Sequence, residues 1–306
     1  MNKRPIIIDT DPGIDDAVAL AIALYSEKVD VKLITTIAGN VNIDVVTNNT
    51  LKLLKFFGKN VPVAKGATEP LIEVLEEATS VHGASGMDGY DFEEGDKSLL
   101  LDEHAVLAMR RTIMESPEKV TLVPIGPLTN IGLLLKMFPE VKGNIEEIIL
   151  MGGSLARGNK GVMSEFNIAN DPEAAKIVFN SGVKVTMVGL DIGMTAQILP
   201  ENCVAVKELN RVGEMIYGLF QHYRGGSLKT GLRMYDATAV AYLLNPELFK
   251  VEHTFIDVEL NGSMTRGCTV VDLRNYMKRE PNAYACTEID AQAFNEWFME
   301  SIKNCH

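Results

Sequence analysis

The 306-residue sequence has only four cysteines, no cluster of basic residues and no long apolar run. The cysteines form no CxxC pair and no metal-ligand spacing, so we expect free thiols in a reducing compartment. The longest apolar runs fall far short of the roughly 20 residues that a membrane span needs. The N-terminal segment MNKRPIIIDTD predicts a strand rather than a signal peptide. We therefore expect a cytoplasmic protein with no membrane partner.

The charge balance is acidic, with 41 Asp and Glu against 29 Lys and Arg and a formal net charge of −12. Such a chain repels other polyanions, so we expect no nucleic-acid partner. Hydrophobic residues make up 46% and charged residues 23% of the sequence, which is typical of a globular protein. A chain of this length can bury a large core without disulfides.

Apolar segments of strand length alternate with helical patterns along most of the chain. Strands are predicted at residues 5–8, 31–37, 61–64, 119–125, 147–151 and 184–190, and helices at 17–25, 43–57, 105–114 and 172–179. This alternation predicts an α/β protein with a Rossmann-like, mostly parallel sheet that helices cover on both faces. Because no repeat, linker or shift in composition divides the sequence, we expect a single domain over residues 1–306.

Two segments depart from the alternation. The dipeptide Asn261-Gly262 separates strand-like segments at 253–260 and 264–273, which predicts an antiparallel hairpin at the edge of the sheet. Residues 69–97 are polar, contain several glycines and lack a helical period. A loop of this length in a compact domain is typical of either a functional lid or a disordered segment.

Four aspartates fall within eight residues after the first predicted strand, in the segment DTDPGIDD: Asp9, Asp11, Asp15 and Asp16. Carboxylates this close repel one another unless protons or a cation neutralise them. A divalent cation bound by carboxylate oxygens explains the cluster, whereas the alternative is an acidic turn that caps the following helix. An EF-hand loop is disfavoured because Leu20 occupies the position of its final glutamate.

Other predicted strands also end in glycine-containing loops, at Gly39, Gly126 and Gly152. Glycine lets a backbone approach a ligand closely, since it has no Cβ atom. In open parallel sheets, ligands bind beyond the carboxyl ends of the strands. We therefore expect a ligand site at this edge of the sheet.

Several motifs occur in a specific order: DTDPGIDDA, TTIAGN, VPIGPLTN, LMGG, EFNIANDPEAA and VTMVGLD. Together they closely resemble the nucleoside N-ribohydrolase family over essentially the whole chain. The segments SVHGASGMDGYDF and HYRGGSLKTGLRM resemble most the bacterial branch that cleaves both purine and pyrimidine ribonucleosides. The resemblance implies the nucleoside hydrolase fold, hydrolysis of ribonucleosides to ribose and free base for salvage, and a homo-oligomer, commonly a tetramer or dimer.

The resemblance also implies one bound Ca²⁺. Asp11, Asp16 and Asp236 match carboxylate ligands of the family, and the backbone carbonyl of Ile125 matches a further ligand. Many family members have Thr at the position of Ile125, but a carbonyl ligand does not depend on the side chain. Ribose hydroxyls and a water would complete a shell of 6–8 oxygens, which suits Ca²⁺ better than Mg²⁺.

The implied reaction passes through a transition state that resembles an oxocarbenium ion, as in glycosidases. By the resemblance, Asp11 takes a proton from a Ca²⁺-bound water that attacks C1′ of the ribose. Further positions match residues that bind the ribose: Asp15, Asn40, Asn159, Glu165 and Asn167, with Met151 under the sugar. Without the resemblance, Asn159 and Asn167 are equally compatible with ordinary turn residues.

The sequence departs from the family pattern where the departing base must be protonated or neutralised. Many members have His directly before the last metal-binding Asp, but this chain has Tyr235. Tyr235 could donate a hydrogen bond, serve only in packing, or leave the role to His82 or another group. We expect residues 79–92 and 222–233 to contact the base, with contributions from His222, Tyr223 and Arg233.

Two other functions remain open at this point. With Tyr235 in place of His, the chain could be a catalytically weakened nucleoside-binding protein of the same fold. A phosphatase with DxD after its first strand is a second alternative, but that chemistry has no use for the EFN and MGG segments. The retained aspartates Asp11, Asp16 and Asp236 favour the hydrolase.

Overall fold

The computed structural model describes residues 3–306. The strands are β1 (Arg4–Thr10), β2 (Val29–Thr36), β3 (Val63–Lys65), β4 (Val120–Pro124), β5 (Ile145–Met151), β6 (Val185–Val188), β7 (Gln197–Ile198), β8 (Gly226–Ser227), β9 (Gly231–Arg233), β10 (Phe249–Thr254), β11 (Ile256–Val258), β12 (Thr269–Val271) and β13 (Ala283–Ile289). The α-helices are α1 (Ile14–Tyr25), α2 (Ile43–Phe57), α3 (Thr79–His82), α4 (Ala105–Glu115), α5 (Thr129–Met137), α6 (Phe166–Asn170), α7 (Pro172–Phe179), α8 (Leu190–Thr195), α9 (Pro200–Ala205), α10 (Arg211–Phe220), α11 (Tyr235–Leu244) and α12 (Ala291–Lys303). Short 3₁₀ helices span Lys97–Leu99, Pro139–Asn144, Val206–Glu208 and Pro246–Leu248.

An eight-stranded sheet runs through the centre of the molecule in the order β10-β13-β6-β5-β4-β1-β2-β3. Every neighbouring pair is parallel except β10 and β13, which are antiparallel at one edge. The predicted mostly parallel sheet with an antiparallel edge is therefore confirmed.

Strand β1 shows why helices cover both faces of this sheet. Side chains alternate between the faces of a strand, so Ile6 and Ile8 pack into one hydrophobic cluster and Ile7 into the other. All three are fully buried, which is typical of a central parallel strand. The first cluster includes α1 and the second includes α4 and α5.

Local signals predict several helix ends correctly. Helix α2 spans the expected residues because the Asn42 side chain accepts a hydrogen bond from the Val45 N–H, and Gly58 ends the helix with φ 64°. Helix α7 begins at Pro172, as expected, because the Asp171 side chain accepts a hydrogen bond from the Ala174 N–H at 3.0 Å. Helix α1, by contrast, begins at Ile14 rather than at residue 17, because the Asp16 carboxylate accepts a hydrogen bond from the Gly13 N–H.

The hairpin expected around Asn261-Gly262 lies in a different place. Strands β11 and β12 pair in an antiparallel manner, but they form a separate two-stranded sheet, and β10 forms the antiparallel edge of the main sheet. Asp257 of β11 accepts a hydrogen bond from Lys176 Nζ at 2.7 Å, which joins the hairpin to α7. The connection also covers residues 259–268 instead of a two-residue turn.

The segment 69–97 is mostly irregular, as expected, and contains α3 and the beginning of a 3₁₀ helix. Strands β7, β9 and β8 form a third, small antiparallel sheet. Among residues 3–306, none of the helices has both the length and the apolar character needed to cross a bilayer.

Candidate active site

A cavity of about 250 Å³ lies at the carboxyl ends of β1, β2, β4 and β5. Its wall is formed by Asp11, Asp15, Asn40, Ala78, Val81, His82, Ile125, Met151, Asn159, Glu165, Phe166, Asn167, Tyr223, Arg224, Gly225, Arg233, Tyr235 and Asp236. Each predicted site residue lines this cavity except Asp16 and His222. Residues from distant parts of the sequence therefore meet where the topology of a parallel sheet places a ligand site.

Asp16 lies behind the cavity wall, where hydrogen bonds hold both of its oxygens. The Thr10 hydroxyl donates to Oδ1 at 2.6 Å, and the Gly13 N–H donates to Oδ2 at 2.9 Å. The Asn40 side-chain amide also donates to Oδ2, at 3.2 Å. These bonds fix the Asp16 carboxylate at the start of α1.

Three buried carboxylates form a group that could hold a metal ion. Asp15, Asp16 and Asp236 each offer an oxygen, and these oxygens lie within 4.8 Å of one another. Asp236 lies in the first turn of α11, so the tertiary fold adds it to the two aspartates of α1. The group therefore contains two of the expected carboxylate ligands, together with Asp15, which we expected to contact ribose.

Asp11, the remaining expected carboxylate ligand, lies beside this group. Its Oδ2 accepts a hydrogen bond from the Asn40 N–H at 2.7 Å, and its backbone carbonyl accepts one from the Asn40 side chain at 3.0 Å. Gly39 and Gly126 flank the carboxylate, and a Cβ atom would lie 2.1 Å from Oδ2 at Gly39 and 2.5 Å from Oδ1 at Gly126. The absence of side chains at these glycines makes room for Asp11.

Burial and mutual repulsion disfavour the charged forms of these carboxylates. Burial raises the pKa of Asp11 well above its usual value, and the charge of Asp16 raises it further. The pKa of Asp236 is also raised well above its usual value, by burial and then by the charges of Asp15 and Asp16. A divalent cation would reverse both effects, because it stabilises the ionised carboxylates. The buried oxygen donors thus fit a hard divalent cation.

The backbone carbonyl of Ile125, the expected fourth ligand, already accepts a hydrogen bond. The Asn167 side-chain amide donates to it at 2.9 Å and donates to the Met151 carbonyl at 3.1 Å. A carbonyl oxygen has two lone pairs, so the Ile125 carbonyl can still bind a cation. Asn167 therefore links the ends of β4 and β5.

The side chains expected to contact ribose are positioned by backbone groups. Glu165 caps α6, accepting hydrogen bonds from the N–H groups of Asn167 at 2.9 Å and of Gly153 at 2.9 Å. Burial raises the pKa of Glu165 to about 7, although these N–H donors oppose the effect. The Asn159 side-chain carbonyl accepts a hydrogen bond from the Phe166 N–H at 2.9 Å. These contacts hold Glu165 and Asn159 in the cavity wall.

His82, at the end of α3, is buried against the start of α1. Its Nδ1 accepts a hydrogen bond from the Ile14 N–H at 3.2 Å and lies 3.9 Å from Asp15 Oδ1. Burial lowers the pKa of His82 to about 4, so the imidazole is neutral at pH 7. With Nδ1 as an acceptor, the proton resides on Nε2. His82 can therefore donate a hydrogen bond but is a poor proton donor at neutral pH.

Two tyrosines complete this side of the cavity. The Tyr223 hydroxyl lies 2.9 Å from the Arg233 carbonyl and 3.3 Å from Asp15 Oδ2, and its ring is 5.5 Å from that of His82. Tyr235 is the first residue of α11, and its ring packs so closely on Gly193 that a Cβ there would lie 2.3 Å from Tyr235 Cδ1. Burial raises the pKa of Tyr235, so the phenol remains protonated at neutral pH.

His222 does not line the cavity, contrary to the sequence-based expectation. It is exposed, and its Nδ1 lies 3.4 Å from the Gly218 carbonyl oxygen. Helix α10 ends at Phe220, and the turn that follows buries Tyr223 on the cavity side and leaves His222 on the outer side. His222 instead faces two neighbouring surface depressions, one of which also includes Lys52 and Tyr90.

Five of the cavity residues were not predicted as site residues from the sequence: Ala78, Val81, Phe166, Arg224 and Gly225. Val81, Arg224 and Gly225 lie in the two segments that were expected to contact the base. The Arg224 N–H donates to the Val81 carbonyl at 3.3 Å, which joins these two segments across the cavity. Phe166 lies between Glu165 and Asn167 in the sequence, and this position between two predicted ribose-binding residues could have indicated that it lines the cavity.

Known proteins are similar to this chain in both sequence and fold. The family model described as inosine-uridine preferring nucleoside hydrolase matches residues 6–296. The non-specific ribonucleoside hydrolase RihC of Escherichia coli (strain SMS-3-5 / SECEC) is 48% identical over 300 residues, covering 98% of each chain.

Solved structures agree with this sequence relationship. The purine-preferring ribonucleoside hydrolase from Gardnerella vaginalis is 29% identical and superposes with a TM-score of 0.91 over 99% of each chain. The inosine-uridine preferring nucleoside hydrolase from Bacillus anthracis is 18% identical and has a TM-score of 0.81, over 98% of this chain and 99% of that one, which supports the fold alone. The nucleoside hydrolase fold is thus confirmed, and the chain belongs to the family of inosine-uridine preferring nucleoside hydrolases.

Proposed function

We propose that this protein hydrolyses the N-glycosidic bond of purine and pyrimidine ribonucleosides and releases ribose and the free base. The main support is the convergence of buried aspartates with Asn40, Glu165 and Asn167 in one cavity. Such a cavity combines acidic groups that can activate water with polar groups that can bind a polyhydroxylated sugar. The similarity to an enzyme named a non-specific ribonucleoside hydrolase supports the breadth of the substrate range.

The proposed cofactor is Ca²⁺, held by the carboxylates of Asp11, Asp16 and Asp236 and by the Ile125 carbonyl. Asp15 lies close enough to Asp16 and Asp236 to contribute a further oxygen. Ca²⁺ is favoured over Mg²⁺ because it accepts a larger and less regular set of oxygen ligands. When bound, the cation lowers the pKa of a water and orients the ribose hydroxyls.

Asp11 is the proposed general base. Its carboxylate takes a proton from the water whose oxygen forms the new bond to C1′. The bond between C1′ and the base nitrogen breaks, and its electron pair leaves with the base. The surrounding carboxylates stabilise the positive charge that develops on the sugar in an oxocarbenium-like transition state.

The proposed ribose site consists of Asp15, Asn40, Asn159, Glu165 and Asn167, with Met151 below the sugar. Several of these side chains already make hydrogen bonds to backbone groups, which fixes their orientation before the substrate binds. Such preorganisation reduces the entropic cost of aligning the substrate with the attacking water.

The departing base is expected to face His82, Tyr223, Arg233 and Tyr235. Neutral His82 can donate a hydrogen bond through Nε2, and Tyr235 can donate one through its hydroxyl, without either losing a proton. The aromatic rings of Tyr223 and Tyr235 offer flat apolar surfaces to the base.

The test is ribose release by the purified protein from inosine, adenosine, xanthosine, uridine and cytidine, before and after Ca²⁺ is removed and restored. We expect release from both inosine and uridine that disappears with the metal and returns with Ca²⁺. A protein that binds nucleosides but releases no ribose would contradict the proposal and indicate a nucleoside-binding protein. Restoration by Mg²⁺ but not Ca²⁺ would contradict the choice of metal.

The cellular role follows from this activity. We propose a cytoplasmic enzyme of nucleoside salvage, folded as one domain over residues 1–306 and assembled as a homo-oligomer, either a dimer or a tetramer. Light scattering of the purified protein gives the mass of the assembly. A mass that equals one chain at all concentrations would contradict the proposed oligomer.

A further inference from the structure

Arg233 contributes a positively charged side chain to the cavity wall and has an unusual hydrogen-bonding state. Its Nε–H is shielded from solvent and has no acceptor among residues 3–306. A buried donor without a partner is destabilising, because it has lost its hydrogen bonds to water and gained none from the protein, so such a group needs an explanation. Because Arg233 lines the cavity, a small rotation of its side chain would bring this N–H within reach of an acceptor on a bound ligand.

The backbone of Arg233 is held firmly on both sides. Its N–H donates to the Gly225 carbonyl at 3.0 Å, and its own carbonyl lies 2.9 Å from the Tyr223 hydroxyl. Arg233 is also the last residue of β9, where it pairs with Gln197 of β7. The arginine is therefore presented to the cavity from a fixed backbone rather than from a free loop.

Arg233 lies on the side of the cavity where the base is expected. Tyr235 follows two residues later in the chain, and its phenol oxygen interacts with the guanidinium group of Arg233. Asp236, in the carboxylate group at the cavity floor, follows directly. A sugar bound over the carboxylates would thus leave its base next to Arg233 and Tyr235.

We propose that Arg233 stabilises the negative charge that accumulates on the departing base, by donating a hydrogen bond to one of its ring or exocyclic heteroatoms. This inference rests on the proposed function and assigns the leaving-group role that Tyr235, in place of His, leaves open. A guanidinium remains protonated throughout, so Arg233 acts as a charged hydrogen-bond donor and not as an acid.

The protons balance without a transfer from Arg233. The C1′–N bond breaks with its electron pair on the base, while the water oxygen bonds to C1′ and Asp11 takes the water proton. The base anion, held by the guanidinium, is then protonated by solvent, and Asp11 returns its proton to solvent. Purine and pyrimidine bases both offer suitable acceptor atoms, so one arginine can assist both classes.

The experiment compares substrates whose leaving groups differ in how much they need a hydrogen-bond donor to stabilise their negative charge. Arg233→Gln and Arg233→Lys are assayed on inosine, uridine and 4-nitrophenyl β-D-ribofuranoside, whose nitrophenolate leaves readily without help. We expect Arg233→Gln to lower kcat on both nucleosides by about 100-fold, the usual cost of removing one preorganised donor. On the nitrophenyl riboside its kcat should change by less than about threefold, and Arg233→Lys should be intermediate on nucleosides.

The nitrophenyl riboside also reports whether the variant retains a folded site. An equal loss on all three substrates would overturn the inference and indicate a role in binding or folding. An unchanged rate on the nucleosides would also overturn it. Arg224→Gln removes the other arginine of the cavity wall and serves as the comparison. If Arg224→Gln lowers kcat on the nucleosides but not on the nitrophenyl riboside, to the same extent as Arg233→Gln, the assignment to Arg233 is overturned.

The outcome for the wild-type protein separates this inference from the proposed function. If the wild-type protein cleaves no nucleoside, the proposed function fails and the role of Arg233 fails with it. If the wild-type protein cleaves nucleosides and Arg233→Gln shows no selectivity for the leaving group, the hydrolase function stands and the role of Arg233 is wrong.

Discussion

The Asp11 carboxylate occupies the space where a side chain on Gly39 would begin, since a Cβ atom there would lie 2.1 Å from Asp11 Oδ2. The next residue, Asn40, donates its backbone N–H to the same oxygen at 2.7 Å. The loop after β2 therefore places the proposed base by both a missing side chain and a hydrogen bond.

Gly39→Ala should displace the Asp11 carboxylate and lower kcat for inosine by about 100-fold, since small misplacements of catalytic groups have large effects. The Asp11 side chain cannot remain in place, because real Cβ atoms do not approach another atom as closely as 2.1 Å. The measurement is ribose release with the folded state checked by circular dichroism.

Gly143→Ala is the matched control for this substitution. Gly143 lies in a 3₁₀ helix and does not line the cavity, and a Cβ atom there would meet no atom of the described residues within 4 Å. This variant should keep the wild-type kcat. Similar activity in the two variants would show that Gly39 does not position Asp11.

Asp11→Asn should reduce turnover by about 10²–10⁴-fold, because the amide cannot accept the proton of the attacking water. The variant should fold without bound metal. Burial and the neighbouring carboxylates raise the pKa of Asp11 because they disfavour its negative charge, and the neutral Asn side chain does not carry that charge. Ribose release and thermal unfolding in chelator measure the two effects. Turnover within about tenfold of wild type would exclude Asp11 as the base.

Ca²⁺ should raise the melting temperature of the wild-type protein, because a ligand that binds only the folded state stabilises it by about 2.7 kcal/mol at 100 times its Kd. Asp236→Asn should abolish the shift by removing one buried carboxylate from the group. Asp44→Asn, which removes an exposed carboxylate paired with Lys65, should keep it. Equal shifts in the two variants would place the cation elsewhere.

His82 should remain neutral throughout the physiological pH range. Burial lowers its pKa in the folded protein from 6.5 to about 4, so the unfolded state binds a proton first as the pH falls. The free energy of unfolding should therefore decrease from about pH 6.5 to pH 4, with no contribution from His82 above that range.

His82→Gln is the comparison for this prediction, since a glutamine oxygen can still accept the Ile14 N–H. Urea unfolding at pH 5 and pH 7.5 should show a larger loss of stability at the lower pH in wild type than in the variant. The ¹⁵N shifts of the wild-type imidazole should report a proton on Nε2. Titration of His82 near pH 6.5 would contradict its neutral state.

The parts of the fold that depend on local signals were predictable from the sequence. Alternating apolar segments specify the strands, and Asn42 and Gly58 set the ends of α2 because capping depends on neighbours in the chain. The resemblance to the nucleoside hydrolase family also predicted thirteen of the eighteen residues that line the cavity. Residues 222 and 223 show the limit, since the turn after α10 exposes His222 and buries Tyr223.

The sequence by itself therefore determined the α/β class, the family and most of the cavity residues. The tertiary structure alone decided that Asp15, Asp16 and Asp236 bring oxygens within 4.8 Å of one another, and that Arg233 buries an N–H with no acceptor among residues 3–306. It also decided that the β11–β12 hairpin packs near α7 instead of extending the main sheet. These features depend on which distant segments pack together and on the direction of each side chain, neither of which is specified by neighbours in the chain.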